Sequence, residues 1–186
     1  MGFRRRAVIR AWAESLVAEH GAAVAAIVGV APPLPRVRVR VVRVADHPAS
    51  CSGTTITLHE RWFADHPEDG GAVVHELSHA YLRRRRARPH TGWLVEGIAD
   101  LTRNRLGLDT SWSFAHYEPG RATAGYQTSA HFLAWVEASS PGTIATLAHR
   151  LRRDAYAEQQ FTADGRSLHE MVRLYEELCG PGGRSL

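Results

Sequence analysis

The five residues His75-Glu76-Leu77-Ser78-His79 constrain the fold of this chain most, because they form an H-E-x-x-H pattern inside a run of apolar residues. Residues four apart share one face of an α-helix, so the two imidazoles would project together at a separation that suits a metal ion. The apolar neighbours predict a helix over 71–86 with both histidines half-buried, where unpartnered imidazoles would be costly. The pattern therefore predicts a metal site on this helix.

A second helix, predicted over 93–105, offers the third ligand. Its sequence W-L-V-E-G-I-A-D places Glu96 and Asp100 four apart among apolar residues. We predict Glu96 as the metal ligand and Asp100 as the acceptor that orients a metal-binding histidine. An exposed acidic stripe is the alternative. Gly97 lacks a side chain in the helix interior, which suggests a close approach by the backbone of another helix, the motif helix being the first candidate.

Two imidazoles and one carboxylate form the ligand set of a catalytic zinc site, which leaves the fourth position to water. Glu76, outside the ligand set, would act as the general base that takes a proton from the zinc-bound water. The sequence thus predicts one Zn²⁺ per chain on His75, His79 and Glu96. Iron is an alternative metal, since two histidines and one carboxylate also form an open facial site.

The remaining patterns predict an α+β fold in which a small sheet packs on a mainly helical domain. The apolar spacing indicates one helix over 5–28, and two β-branched runs indicate strands over 36–44 and 54–58. An irregular loop is predicted over 108–125, followed by helices over 126–137, 141–152 and 167–178, the last with Ser167 and Glu170 spaced as a capping box. The length of 186 residues favours a single domain over 1–186, with an N-terminal helix (1–33), the sheet and metal-binding helices (36–106), and the loop and C-terminal helices (107–180).

Composition narrows the partners and the compartment. All 23 basic residues are arginines, and the formal net charge is +4. The arginine cluster from Arg83 to Arg88 could bind an acidic substrate or a phosphate backbone. It lacks interleaved aromatic residues, so we expect a solvated helix end rather than a nucleic-acid site. Cys51 and Cys179 exclude a disulfide scaffold but leave one bridge or two free thiols open. We predict no membrane span and no signal peptide, hence a cytoplasmic protein, with secretion by another route and the oligomeric state left open.

Three motifs in order, H-E-L-S-H-A, W-L-V-E-G-I-A-D and G-Y-Q-T-S-A-H-F-L-A-W, resemble the basic secretory protein family of plant and bacterial peptidases. The resemblance covers about residues 54–178. It implies a zincin fold with Glu as the third zinc ligand, as in thermolysin, and therefore a zinc metallopeptidase that acts on peptides or proteins. It also implies that the strand over 54–58 lines the substrate groove and that peptide pairs with its edge. A non-catalytic zincin-like domain that binds peptide or protein is the alternative function.

The same resemblance assigns a role to Tyr126, which occupies the tyrosine position of the family's G-Y-x-x-T pattern. Its phenol would donate a hydrogen bond to the oxyanion that forms on the scissile carbonyl. A tyrosine that only packs at the start of a helix is the alternative, and His116 and Tyr117 are further candidates for the oxyanion role. The chain departs from the family at His131, where arginine is common, and at Arg83 to Arg86, where the family has milder residues.

Overall fold

The computed structural model of the chain describes residues 2–43, 47–82, 89–108 and 117–180. Its fold is α+β and 61% helical, with seven α-helices and one three-stranded sheet in these ranges, so the predicted class is confirmed. The chain divides into two compact units. Unit 1 comprises Met1–Arg83 and Thr102–Trp112, and unit 2 comprises Arg84–Leu101 and Ser113–Leu186. A single domain over 1–186 stays a prediction.

Unit 1 begins with helix α1 (Gly2–Ile27), close to the predicted range. Its buried positions, such as Ala13 and Val24, recur at helical spacing and pack on the sheet and on the motif helix. The helix is followed by Gly29, whose positive φ of 64° is a left-handed conformation that favours glycine. In the last third of α1, a Cβ on Gly21 would lie 3.0 Å from the hydroxyl of Tyr81, so the Tyr81 side chain reaches α1 there.

The sheet of unit 1 consists of β1 (Arg38–Val42), β2 (Ala49–Ser52) and β3 (Thr55–His59) in the order β1-β3-β2. β1 pairs with β3 in parallel, and β2 pairs with β3 in antiparallel orientation. The alternation of arginine and valine in β1 has the predicted effect, since Val39 is buried while Arg38 and Arg40 are exposed. Both predicted strands are present, although Val44 lies outside the described residues.

The central position of β3 corrects one expectation. Both of its edges are occupied, by β1 through Arg38↔Thr55 and by β2 through Ala49↔Leu58, so the prediction that a peptide pairs with the edge of the strand over 54–58 is wrong. Among the residues that the structure describes, the outer edges of β1 and β2 have no pairing strand. The sequence did not indicate β2, because its four residues A-S-C-S have little β-propensity and no alternating pattern.

One short helix, the motif helix and the end of α4 complete the described part of unit 1. Helix α2 (Glu60–Asp65) was not predicted, since six residues give too little periodicity. Helix α3 (Gly70–Leu82) carries the H-E-x-x-H motif, and the predicted continuation through Arg86 lies outside the described residues. Helix α4 (Gly92–Arg105) ends before Gly107, whose φ is +63°, as the sequence predicted.

Unit 2 contains most of α4 and three further helices, α5 (Tyr126–Ser139), α6 (Thr143–Arg152) and α7 (Leu168–Cys179). The capping box of Ser167 and Glu170 at the start of α7 is confirmed. The large buried side chains include Phe132, Leu133, Ile144, Leu147 and Phe161. Of the predicted loop over 108–125, residues 109–116 lie outside the described ranges, and 117–125 form turns without a helix or strand. None of the described helices is long and apolar enough to cross a membrane.

Candidate metal centre

His75 and His79 on α3 and Glu96 on α4 lie close enough together to hold a metal ion. One potential ligand atom from each, two imidazole nitrogens and a carboxylate oxygen, lies within 4.8 Å of the others, and all three residues are half-buried. The two imidazole Nε2 atoms are 3.0 Å apart. Their ring centroids are 4.7 Å apart with an interplanar angle of 81°. The three ligands predicted from the sequence are therefore brought together.

The chemistry of this donor set fits a divalent transition-metal ion. Zinc bonds of 2.0–2.1 Å in tetrahedral geometry require ligand atoms roughly 3.3 Å apart, which is near the observed Nε2 to Nε2 distance. Only one of two Nε2 atoms in direct contact can carry a hydrogen, whereas a metal between them uses the lone pairs of both. Two imidazoles with a carboxylate suit both zinc and iron, so the ligand set indicates one of these two metals.

Burial of α3 explains why the motif faces inward. Val73, Val74 and Leu77 are fully buried. The buried hydroxyl of Ser78 donates to the carbonyl of Val74 at 3.0 Å, so this polar group has a hydrogen-bond partner in an apolar environment. Glu76, next to the first histidine, is 8% exposed. The carboxylate of Glu76 is thus largely shielded from bulk water.

Sequence reasoning missed the residue that fixes the start of α3. The Asp69 carboxylate accepts hydrogen bonds from the Ala72 backbone N–H (3.1 Å), the Trp62 indole N–H (2.9 Å) and the Arg103 guanidinium (3.0 Å). It therefore caps α3 and ties α2 and the end of α4 to that cap. A Cβ on Gly71 would lie 2.7 Å from the carbonyl oxygen of Leu108, so glycine is needed beside this cluster. The signal in the sequence was the aspartate directly before two glycines and an apolar run.

Gly97 on α4 allows a close helix approach, but to a different partner from the one expected. A Cβ at Gly97 would lie 2.8 Å from Cβ of Ser129 and 2.9 Å from Cδ1 of Leu133, both on α5. The expectation that the motif helix packs there is therefore wrong. Spacing within one helix identifies a face but does not say which other helix covers it.

Asp100 lies one helical turn after Glu96 and is 2% exposed, while Glu96 is half-buried. The alternative of an exposed acidic stripe on α4 is therefore wrong. A buried carboxylate is costly unless other groups offset its charge, and the role predicted for Asp100, orienting a metal-binding imidazole, would supply such a group.

The thiol of Cys51 on β2 lies in the electrostatic neighbourhood of Glu76. Burial, with a smaller contribution from the negative charge of the Glu76 carboxylate, raises the pKa of Cys51 to about 12. The thiol is therefore protonated and a weak nucleophile at neutral pH. Cys51 and Cys179 are both free. Of the two possibilities that the sequence left open, one bridge or two free thiols, the structure has two free thiols.

Tyr126 has an unusual backbone conformation at the start of α5. Its φ is +48°, in the left-handed region that non-glycine residues rarely adopt, and its residue surface is 59% exposed. Hydrogen bonds hold this turn: the Gly125 N–H donates to Ser129 Oγ (2.8 Å), and the Thr128 hydroxyl donates to the Gly125 carbonyl (2.9 Å). A strained residue held in place by its surroundings is typical of functional positions.

The other candidates for the oxyanion role have different surroundings. His116 lies outside the described residues. Tyr117 packs edge-on against Tyr175 with ring centroids 5.6 Å apart, and the Tyr175 hydroxyl also contacts Nδ1 of His131 at 2.6 Å. Tyr117 and His131 thus belong to an aromatic cluster within unit 2.

The fold and the donor set define an α+β protein with a candidate metal centre of two histidines and one glutamate. A family model described as a peptidase of plants and bacteria matches residues 4–177. The chain belongs to this family, the basic secretory protein family. The match extends beyond the motifs into α1 and includes most of both units. No curated protein and no solved structure matches the chain.

Proposed function

We propose that this chain is a zinc-dependent metallopeptidase that hydrolyses peptide bonds with His75, His79 and Glu96 as zinc ligands. The proximity of the three potential ligand atoms, within 4.8 Å of one another, carries the proposal. Membership in a family of peptidases supports a peptide or protein as the substrate. The buried carboxylate of Glu76, adjacent to the first ligand, supports hydrolysis rather than a purely structural metal site.

A zinc ion held by His75, His79 and Glu96 would supply Lewis-acid polarisation of the scissile carbonyl and would make the attacking water more acidic. Glu76 accepts a proton from the attacking water at its carboxylate and passes that proton to the nitrogen of the leaving amine. Low exposure keeps bulk water from competing for the carboxylate. Asp100 would hold a proton on one ring nitrogen of a metal-binding imidazole, so that the other ring nitrogen would keep its lone pair for the metal.

Metal removal and replacement test the metal and the reaction together. We expect the purified chain to contain about one zinc ion, a chelator to abolish peptide cleavage, and zinc to restore it. Anaerobic reconstitution with ferrous iron in parallel separates the two metals that suit this ligand set. A mass-spectrometric digest of a peptide library reads the activity. Full cleavage by the metal-free chain would disprove zinc dependence, and bound zinc with peptide capture but no turnover would favour the non-catalytic binding domain.

The outer edge of β2 is the proposed docking strand for the substrate backbone. The carbonyl of Pro48 accepts from the backbone N–H of His59 at 3.0 Å. Because backbone groups alternate in direction along a strand, those of Ala49 and Cys51 point away from β3 to the open edge. β2 also packs against α3, which carries the H-E-x-x-H motif, and this supports a peptide path along the edge.

An N-methyl scan of a cleaved peptide tests docking on β2. Each methyl group that removes a paired N–H should lower kcat/KM by about tenfold, whereas methylation at the intervening residues should have little effect. The alternation with a period of two residues is the diagnostic result, since it follows from strand geometry alone. A uniform effect, or none, would contradict backbone pairing at this edge.

Tyr126 is proposed to donate its phenolic hydrogen to the oxyanion of the substrate. Its constrained turn at the start of α5 supports this role, because a preorganised donor needs no reorganisation during the reaction. Tyr126→Phe should lower kcat by about 10²-fold with little change in KM. Tyr117→Phe is the matched control, since Tyr117 is the other described candidate for this role. A large loss of kcat in Tyr117→Phe, with wild-type kcat in Tyr126→Phe, would assign the oxyanion role to Tyr117 instead.

A further inference from the structure

An open groove in unit 1 is lined by arginines from three separate elements. Arg5 comes from α1, Arg43 directly follows β1, and Arg61 comes from α2. The groove encloses about 600 Å³, and its remaining lining residues are Glu60, Ala64 and Asp65. Residues far apart in sequence are thus brought to one surface, where none of them takes part in the proposed catalytic machinery.

The charges of this arginine groove are not balanced. Glu60 is already paired, because its carboxylate accepts from Arg6 at 2.9 Å. Within the described ranges, Arg5, Arg43 and Arg61 form no ion pair, and neither does Asp65. Three unpaired cations therefore face one unpaired carboxylate. The excess of two positive charges is a local potential that attracts anionic groups.

Protection of the sheet edge does not explain this arrangement. Arginines on an edge strand discourage pairing with other chains, and that accounts for Arg38 and Arg40 on β1. Arg5 and Arg61 lie on helices, and the first turn of α1 has no acidic residue that would offset its arginines. Like charges that converge without counter-charges repel one another, and a bound anion would relieve the repulsion.

The groove favours an extended anion over a compact one. A guanidinium binds carboxylate or phosphate through two parallel hydrogen bonds. Asp65 lies among the arginines and would repel a compact polyanion, whose charge is concentrated at one point. An extended polypeptide can place separate carboxylates on separate guanidinium groups without placing a negative charge next to Asp65.

We propose that the arginine groove binds an acidic segment of the protein substrate, at a site distinct from the bond that is cleaved. This inference rests on the proposed peptidase function, because it assigns a substrate class to that activity. Capture of an acidic segment raises the local substrate concentration and speeds encounter through the long-range field. The enzyme then favours proteins with a glutamate- or aspartate-rich stretch, whatever residues flank the cleaved bond.

Peptide binding without hydrolysis tests the groove. A fluorescein-labelled peptide with six glutamates spaced by glycine and serine is titrated into the zinc-loaded Glu76→Gln chain, and its anisotropy is measured. R5Q/R43Q/R61Q should raise Kd about tenfold, and the loss should shrink in high salt. The control R153Q/R166Q/R173Q removes the same number of charges from exposed positions of unit 2 and should change Kd less than about twofold.

Charge reversal guards against a variant that merely unfolds. R5E/R43E/R61E should bind a lysine-rich peptide of the same spacing and reject the glutamate peptide. Equal weakening by the groove and control variants would overturn the inference. So would displacement of the peptide by tripolyphosphate at lower concentration than by unlabelled glutamate peptide, since the site would then prefer compact phosphate.

Cleavage assays separate this inference from the proposed function. With Glu76 intact, R5Q/R43Q/R61Q should cleave a short neutral peptide at the wild-type rate but show a raised KM for the same peptide extended by the glutamate segment. Cleavage of the neutral peptide without capture of the acidic one overturns the groove and leaves the peptidase. Capture without any cleavage supports the acidic-segment site and overturns the peptidase.

Discussion

Replacement of Glu76 by glutamine should lower kcat by about 10³-fold while the chain keeps its zinc. The amide has nearly the same volume as the carboxylate and can still form hydrogen bonds, so the packing of α3 is preserved. It cannot accept a proton from the attacking water at neutral pH, which is the step assigned to Glu76. Since Glu76 is not one of the three proposed metal ligands, zinc content should stay at wild-type level.

The control for this variant is Glu14→Gln, which makes the same chemical change on the exposed side of α1. It should leave both kcat and zinc content unchanged. Glu96→Gln provides the opposite comparison, because loss of a ligand carboxylate should lower zinc affinity and activity together. If Glu76→Gln cleaved peptides at the wild-type rate, the general-base role would be wrong. Loss of zinc from Glu76→Gln would instead make Glu76 part of the metal centre.

The candidate metal ligands were predictable because most of the information that identifies them lies within single helices. His75 and His79 are one helical turn apart, so the periodicity of α3 is sufficient to put their imidazoles on one face. Glu96 required a second argument, that a carboxylate on another apolar helix would be drawn to the same metal. The α+β class followed likewise from patterns within single elements, and the arginine and valine alternation of β1 is the clearest example.

Contacts between elements were harder to predict. The strand β2 has four residues with no alternation and exists because its backbone completes the ladder of β3. For the same reason the sequence could not show that β3 is central, and the predicted peptide pairing was placed on a strand whose two edges are both occupied. Gly97 indicated a close helix approach correctly, but the covering helix α5 depends on how the chain folds back, which no local pattern contains.

Asp69 should be the residue outside the metal centre whose loss destabilises the fold most. Its side chain is 8% exposed and pairs with the Arg103 side chain, which is 12% exposed. Removal of one partner from a buried ion pair costs about 3–5 kcal/mol, because the remaining charge is left without compensation. Asp69→Ala also removes the cap of α3, which contributes about 1 kcal/mol, and the hydrogen bond from Trp62.

Urea unfolding of a short series separates these contributions. Asp69→Asn keeps a capping oxygen but removes the charge, so it should lie between wild type and Asp69→Ala in the free energy of unfolding. The double variant Asp69→Ala/Arg103→Met should be more stable than Asp69→Ala alone, since it no longer buries an uncompensated guanidinium. The neighbouring Glu68→Ala, at an exposed position, should change the free energy of unfolding by less than about 0.5 kcal/mol. Additive effects of Asp69→Ala and Arg103→Met would show that the ion pair does not stabilise unit 1. Asp69 would then stabilise the start of α3 only as a helix cap.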